Sequence, residues 1–176
     1  MNSVTAYLGL GSNLGPRERS LQNAVDSIQM NGCRVVRCSS VFETEPWGAN
    51  PDQPLFLNAV VEIRTNEALI DLMKRLQTIE QAMGREGRSS NEPRVIDIDV
   101  LLFGESVFRN GRVSVPHPRM ELRRFVLEPL AELAPNFIHP VLHQPVSRLL
   151  HQCPDTKRVV RTSFHLQVTS NIHGDS

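Results

Sequence analysis

The run Arg94-Val95-Ile96-Asp97-Ile98-Asp99-Val100-Leu101-Leu102 sets two aspartates inside the most strand-like stretch of the chain. Side chains alternate across a strand, so Asp97 and Asp99 share one face, while Ile96, Ile98 and Val100 share the other and enter the core. Aspartate is depleted in strands, and carboxylates left unpaired beside a core are costly. Any fold built on this strand needs an apolar layer on one side and a place for two acids on the other. Two answers stay open from the strand alone. The acids face solvent or pair with arginines, or they hold a divalent cation. Mg²⁺ suits the second answer because it takes a few carboxylates together with phosphate oxygens and water.

The surrounding charges bear on that choice. Nineteen basic residues balance 19 acidic ones, which argues against a protein that coats nucleic acid with a basic face. Seventeen of the basic residues are Arg; only Lys74 and Lys157 are Lys. Arg85, Arg88 and Arg94 precede the two acids, and Arg112, Arg119, Arg123 and Arg124 follow them, with His117 among these. An Arg-rich genome accounts for the excess without any function; phosphate handling accounts for the clustering. Carboxylates that hold Mg²⁺ beside arginines are what a triphosphate requires. His117 reads equally as a loop histidine bonded to backbone or as a nucleotide contact. There is no Walker A pattern, no protein-kinase signature and no local nucleophile triad. Cys33, Cys38 and Cys153 form no CxxC and read as reduced thiols of a cytoplasmic protein. No apolar run approaches the ~18 residues of a membrane span. Met1 to Gly9 lacks a charged region followed by an apolar core, so no secretory leader is expected.

The length of 176 residues suits one domain. Val4 to Leu10 reads as a strand, closed by Gly11 to Gly15. A helix follows with Pro16 at its first position and Leu21, Ala24, Val25 and Ile28 as its buried stripe. Cys33 to Phe42 and Leu55 to Arg64 read as strands around a Pro-rich loop, Glu43 to Pro54, long enough to be a binding loop. Asn66 caps a second helix whose stripe is Leu69, Leu72, Met73, Leu76, Ile79 and Met83. Gly84 to Pro93 is a polar loop, and Val95 to Phe103 is the acidic strand. Asn110-Gly111 signals a hairpin. Met120 to Leu133 reads as a helix kinked or broken at Pro129, and Pro145 to Gln152 as a short one. Residues 162–176 are a C-terminal extension, disordered or an edge strand around Phe164 to Val168, beyond a domain of residues 1–161. The irregular mixture of strands and helices points to α+β.

Six segments, in order, resemble the 6-hydroxymethyl-7,8-dihydropterin pyrophosphokinase family of folate biosynthesis. They are Tyr7 to Gly15, Phe42 to Pro46, Phe56 to Val60, Ile79-Glu80 with Gly84-Arg85, Pro93 to Gly104, and Val115 to Met120 followed by Arg123 and Phe125 to Leu127. The resemblance implies a monomeric, ferredoxin-like, three-layer αβα fold with a mainly antiparallel sheet and three active-site loops. It implies transfer of pyrophosphate from ATP to the pterin hydroxymethyl group, releasing AMP, with attack on the β-phosphorus between two Mg²⁺ ions. Asp97 and Asp99 would hold the ions, and Arg85 and Arg94 would stabilise phosphate charge. Gln77, Arg88, Val100, Arg112, Ser114, His117 and Arg123 match the family's ATP contacts. Thr44, Pro46, Trp47, Phe56, Asn58 and Phe125, with Asp97, match its pterin pocket. ATP and the pterin are the expected partners, with neither nucleic acid nor membrane.

Physical chemistry agrees with such a pocket without requiring it. Phe56 and Phe125 suit the faces of a flat heterocycle and equally suit core packing; the Asn58 amide suits its polar edge. Glu80 reads as structural. Asn91-Glu92-Pro93-Arg94 departs from the family's usual Trp-Gly-Pro-Arg, and Trp47 stands where a smaller aliphatic is common, which offers it as a replacement stacking ring. Two other functions stay open on the same residues: a relative that binds pterin or nucleotide without transfer, and another Mg²⁺-dependent transferase releasing ADP or pyrophosphate.

Overall fold

Strand β1 (Val4–Ser12) is the centre of the molecule. Its even-numbered residues Ala6, Leu8 and Leu10 are at most 2% exposed, while Gly9 and Gly11 leave the opposite face bare. The computed structural model describes residues 3–48, 50–85, 92–111 and 113–169. Around β1 the sheet runs β5 (Asp97–Phe103), β1, β4 (Phe56–Thr65), β3 (Phe42–Thr44), β8 (Val159–Arg161), and β2 (Arg34–Cys38) pairs with the far half of β4. Every pairing in this sheet is antiparallel. A separate hairpin joins β6 (Phe108–Asn110) to β7 (Val113–Val115).

Helices cover both faces. Leu21, Ala24, Val25 and Ile28 of α1 (Arg17–Met30) and Leu72, Leu76 and Ile79 of α2 (Leu69–Ala82) pack with Ala6, Leu8, Ile63, Ile98 and Val100. On the other face, Leu127 and Leu130 of α3 (Arg124–Leu133) and Val146 and Leu149 of α4 (Val146–Gln152) pack with Tyr7, Val60, Leu101 and Leu102. The order βαβββαβ from β1 to β5, with β2 and β3 both pairing β4 and with both faces covered, is the expected three-layer, ferredoxin-like α+β architecture. A register shift in the β1–β5 ladder pairs Leu8 with Val100 but Tyr7 with Leu102. Leu101 is therefore an extra residue, and it joins Leu102 in the α3–α4 layer instead of opposing it.

Local details differ from the sequence reading. The acidic strand begins at Asp97, not Val95, although Ile96 is fully buried. Helix α2 begins at Leu69 with Ala68 at its cap and no side-chain cap, because Thr65 Oγ1 accepts from Glu67 N and carries the chain past Asn66. Asn110 is the last residue of β6, so the hairpin turns after it. The break expected at Pro129 lies at Arg123, whose extended backbone (φ −122°, ψ 99°) separates a 3-10 turn at Met120–Leu122 from α3. Pro129 sits inside α3. The edge strand is β8, not Phe164 to Val168. Phe164 and Leu166 instead pack against the α1–α2 core, and Gln167 bonds Gln22 of α1. Among the described residues, no helix is long and apolar enough to cross a membrane.

Candidate active site

The two glycines of β1 open a trough across the sheet. Gly11 is paired with Asp97 on one side and Asn58 on the other; Gly9 lies between Asp99 and Val60. A Cβ on Gly11 would stand 2.8 Å from Asn58 Oδ1, and one on Gly9 would stand 3.3 Å from Leu101 Cδ2. The cavity above this floor has a volume of about 310 Å³, the lower end of the range for small-molecule sites. Alternate glycines in a strand are a signal of close approach; the sequence reading passed over it.

The acidic wall comes from β5. Asp97 accepts Arg85 Nη1 at 2.7 Å and Arg94 Nη1 at 2.9 Å. Arg85 also pairs with Glu80 at the end of α2, and the same Glu80 Oε1 accepts from Ile98 N at 2.6 Å, between the two aspartates. Glu80 thus fixes both the strand and an arginine of the site, a larger part than the sequence suggested. Burial, then repulsion from Asp97, pushes its carboxyl up to about 7. Asp99 is also pushed up to about 7, by desolvation and then by Asp97 and Glu80, while 44% of its side chain stays open to solvent, which screens the effect on stability. His117 Nε2 lies 3.8 Å from Asp99. Burial and then Arg123 hold His117 down to about 4, so at neutral pH it offers a hydrogen bond and no charge.

The opposite wall comes from β3, β4 and the loop between them. Thr44, Pro46, Trp47, Phe56 and Asn58 line it, with Phe125 of α3. The Asn58 amide donates to Thr44 Oγ1 at 2.6 Å, which aims its carbonyl oxygen over Gly11. Arg17 braces the base of this loop, donating to Glu43 and to Leu55 O at 2.8 Å each. At the cavity mouth, Arg123 stacks on Trp47, its guanidinium carbon 4.5 Å from the ring centre.

One buried side chain joins all three loops. Asn13 Oδ1 accepts from Arg94 N at 2.8 Å, and its amide donates to Gln53 Oε1 and Pro54 O, both at 3.2 Å. Its own N–H donates to Arg94 O at 3.1 Å. No sequence pattern marked this residue beyond its place in a turn.

Of the expected site residues, the structure brings Arg85, Arg94, Asp97, Asp99, His117 and Arg123 together with the six of the second wall. Gln77 is exposed on α2, Val100 is buried in the α1–α2 core, and Ser114 bonds Pro116 O in the hairpin; none of the three lines the cavity. Arg88 and Arg112 lie outside the described residues. Arg124 turns away to Glu128 and Asp155.

Comparison with known proteins identifies the family. Residues 7–135 match the family described as 7,8-dihydro-6-hydroxymethylpterin-pyrophosphokinase (HPPK). The 2-amino-4-hydroxy-6-hydroxymethyldihydropteridine pyrophosphokinase of Pseudomonas aeruginosa is 41% identical over 150 residues, covering 84% of this chain and 91% of that protein. The folic acid synthesis protein fol1 of Schizosaccharomyces pombe is 38% identical over 160 residues, covering 90% of this chain; the chain spans only 22% of that protein's length. A Plasmodium falciparum HPPK-DHPS crystal structure aligns with TM-score 0.71 at 15% identity, over 86% of this chain and 44% of that one, and so shares the fold. The chain belongs to the 7,8-dihydro-6-hydroxymethylpterin-pyrophosphokinase family, whose reaction is pyrophosphoryl transfer from ATP to hydroxymethyldihydropterin in folate synthesis.

Proposed function

We propose that the cavity performs this transfer with Asp97 and Asp99 holding two Mg²⁺ ions, Phe56, Phe125 and Asn58 binding the pterin, and Arg85, Arg94 and Arg123 binding phosphates. The observation that carries the reading is the trough itself: an acid strand, two bare glycines and an amide-bearing strand in adjacent register. The donor set fits Mg²⁺. Both carboxylates are hard oxygen donors, and no cluster of three or more ligating side chains occurs among the described residues. Phosphate oxygens and water would complete the coordination. When bound, Mg²⁺ supplies positive charge to the phosphate oxygens.

The chain's own residues do the rest. Phe56 and Phe125 hold the pterin faces, and Asn58, fixed by Thr44, serves its edge. The pterin hydroxyl oxygen forms a bond to the β-phosphorus, the α–β bridging P–O bond breaks, AMP leaves with the electron pair, and the hydroxyl proton is lost. Arg85 and Arg94 rest on Asp97 and are placed to turn toward phosphate charge. Asn13 ties the turn after β1 to Gln53, Pro54 and Arg94 at the edge of the cavity, and closure of these segments over the substrates would exclude water. We read the chain as a monomer acting in a reducing cytoplasm, a reading in keeping with its three free cysteines.

AMP is expected only when ATP, Mg²⁺ and the reduced hydroxymethylpterin are all present, measured by a coupled AMP assay. ADP or pyrophosphate as product would overturn the reaction, and pterin binding without AMP would reduce the protein to a binder. Gly11→Ala tests the floor. Its methyl displaces the Asn58 carbonyl, so KM for the pterin should rise about tenfold with KM for ATP little changed. An unchanged pterin KM would remove Asn58 from the pocket.

A further inference from the structure

Two arginines converge on one indole: Trp47 and Arg123 line the cavity, and Arg119 stands exposed outside its lining. The Arg123 guanidinium lies 4.5 Å and that of Arg119 5.6 Å from the Trp47 ring centre. Neither side chain forms a hydrogen bond or ion pair with a described residue, and Arg123 Nε is buried without a partner. Arg119 holds a left-handed backbone (φ 63°) at the head of the 3-10 turn, a conformation that costs a non-glycine residue free energy. Like charges brought to one ring repel; an anion between them relieves the repulsion. The acids that act on Arg123 are Asp99 and Asp97 of the cavity and, less, Glu121 of the 3-10 turn.

We propose that Trp47 is a positioning platform that sets Arg123 and Arg119 as a paired clamp for a polyphosphate entering the cavity, which makes Arg119 a further phosphate-contacting residue. A guanidinium prefers an aromatic face to free rotation in water, and the face leaves its N–H edge open to an anion. Trp47 therefore serves phosphate through its arginines, and its stacked surface is withdrawn from the pterin. The proposal rests on the pyrophosphokinase reading for the identity of the polyphosphate, but not for its binding.

Trp47 is the one tryptophan of the chain, so its emission reports the stack. Titration of the full chain with inorganic tripolyphosphate should change that emission saturably, with half-saturation about tenfold higher in Arg119→Met, the loss of one charge-assisted contact. Calorimetry should give Trp47→Leu at least the same weakening and Trp47→Phe little. The double variant Trp47→Leu/Arg119→Met should bind no worse than Trp47→Leu alone. Wild-type tripolyphosphate affinity in Arg119→Met overturns the proposal. Additive losses, or a Trp47→Leu defect confined to pterin affinity, overturn the platform. Tripolyphosphate binding that obeys these rules in a protein forming no AMP would refute the pyrophosphokinase reading and leave the clamp standing.

Discussion

Asp99→Asn is expected to abolish AMP formation and at the same time to raise the melting temperature of the ligand-free protein at pH 8. Turnover should fall by three orders of magnitude or so, as for the loss of a central electrostatic group. The stability gain follows from the sign of the Asp99 shift. Its carboxyl is pushed from 3.8 up to about 7 by desolvation, then by Asp97 and Glu80. Between pH 4 and 7 the folded protein thus binds more protons than the unfolded chain, and stability falls as pH rises through that window. Asparagine carries no such penalty. The variant should gain at pH 8, and the gain should vanish near pH 4, where both side chains are neutral. Thermal melts at the two pH values decide it. A variant that loses stability at pH 8 would show that Asp99 is satisfied in the free protein and is not held ready for a cation.

Glu80→Ala should cost about 3 kcal/mol of folding stability, the scale for removing one partner of a buried ion pair. Two groups are stranded together: the buried Ile98 N–H and the Arg85 guanidinium, which keeps only Asp97. Glu80→Gln retains an acceptor for Ile98 N and should cost about 1 kcal/mol near pH 5, and less at pH 8, because the Glu80 carboxyl is itself pushed up to about 7 and its ionised form is penalised in the folded protein. Urea unfolding of the pair gives both numbers. Equal losses would mean that Arg85, not the strand contact, is the part Glu80 secures.

The fold was legible where periodicity is strong. The stripes of α1 and α2 and the alternation around Asp97 and Asp99 follow from spacing alone. The helix break at Arg123 was not legible, because proline at 129 is the louder local signal while the real cause is a turn that presents Arg123 to the cavity. The β1–β5 bulge was equally silent, since Leu101 and Leu102 are both apolar and suit either face. For the site, motif order carried more than chemistry did. Asp97 lies far in sequence from Phe56 and Asn58, and it meets Asn58 only because the ladders place Gly11 between them. Glu80 and Asn13 escaped because their importance lies in partners that sequence cannot name. Sequence offers Trp47 as a stacking ring; the arginines packed on it come from a turn whose geometry no pattern announces.

Asn13 has a thermodynamic consequence. Its side chain bonds at once to Gln53 and Pro54, beside one wall of the cavity, and to Arg94, beside the other. A ligand that moved either wall would alter hydrogen bonds on the other. Any difference in affinity produced in this way would be reciprocal: the factor by which a ligand at one wall altered binding at the other would equal the factor in the opposite direction. A single carboxamide is thus the shared contact through which two walls of one cavity would be thermodynamically linked.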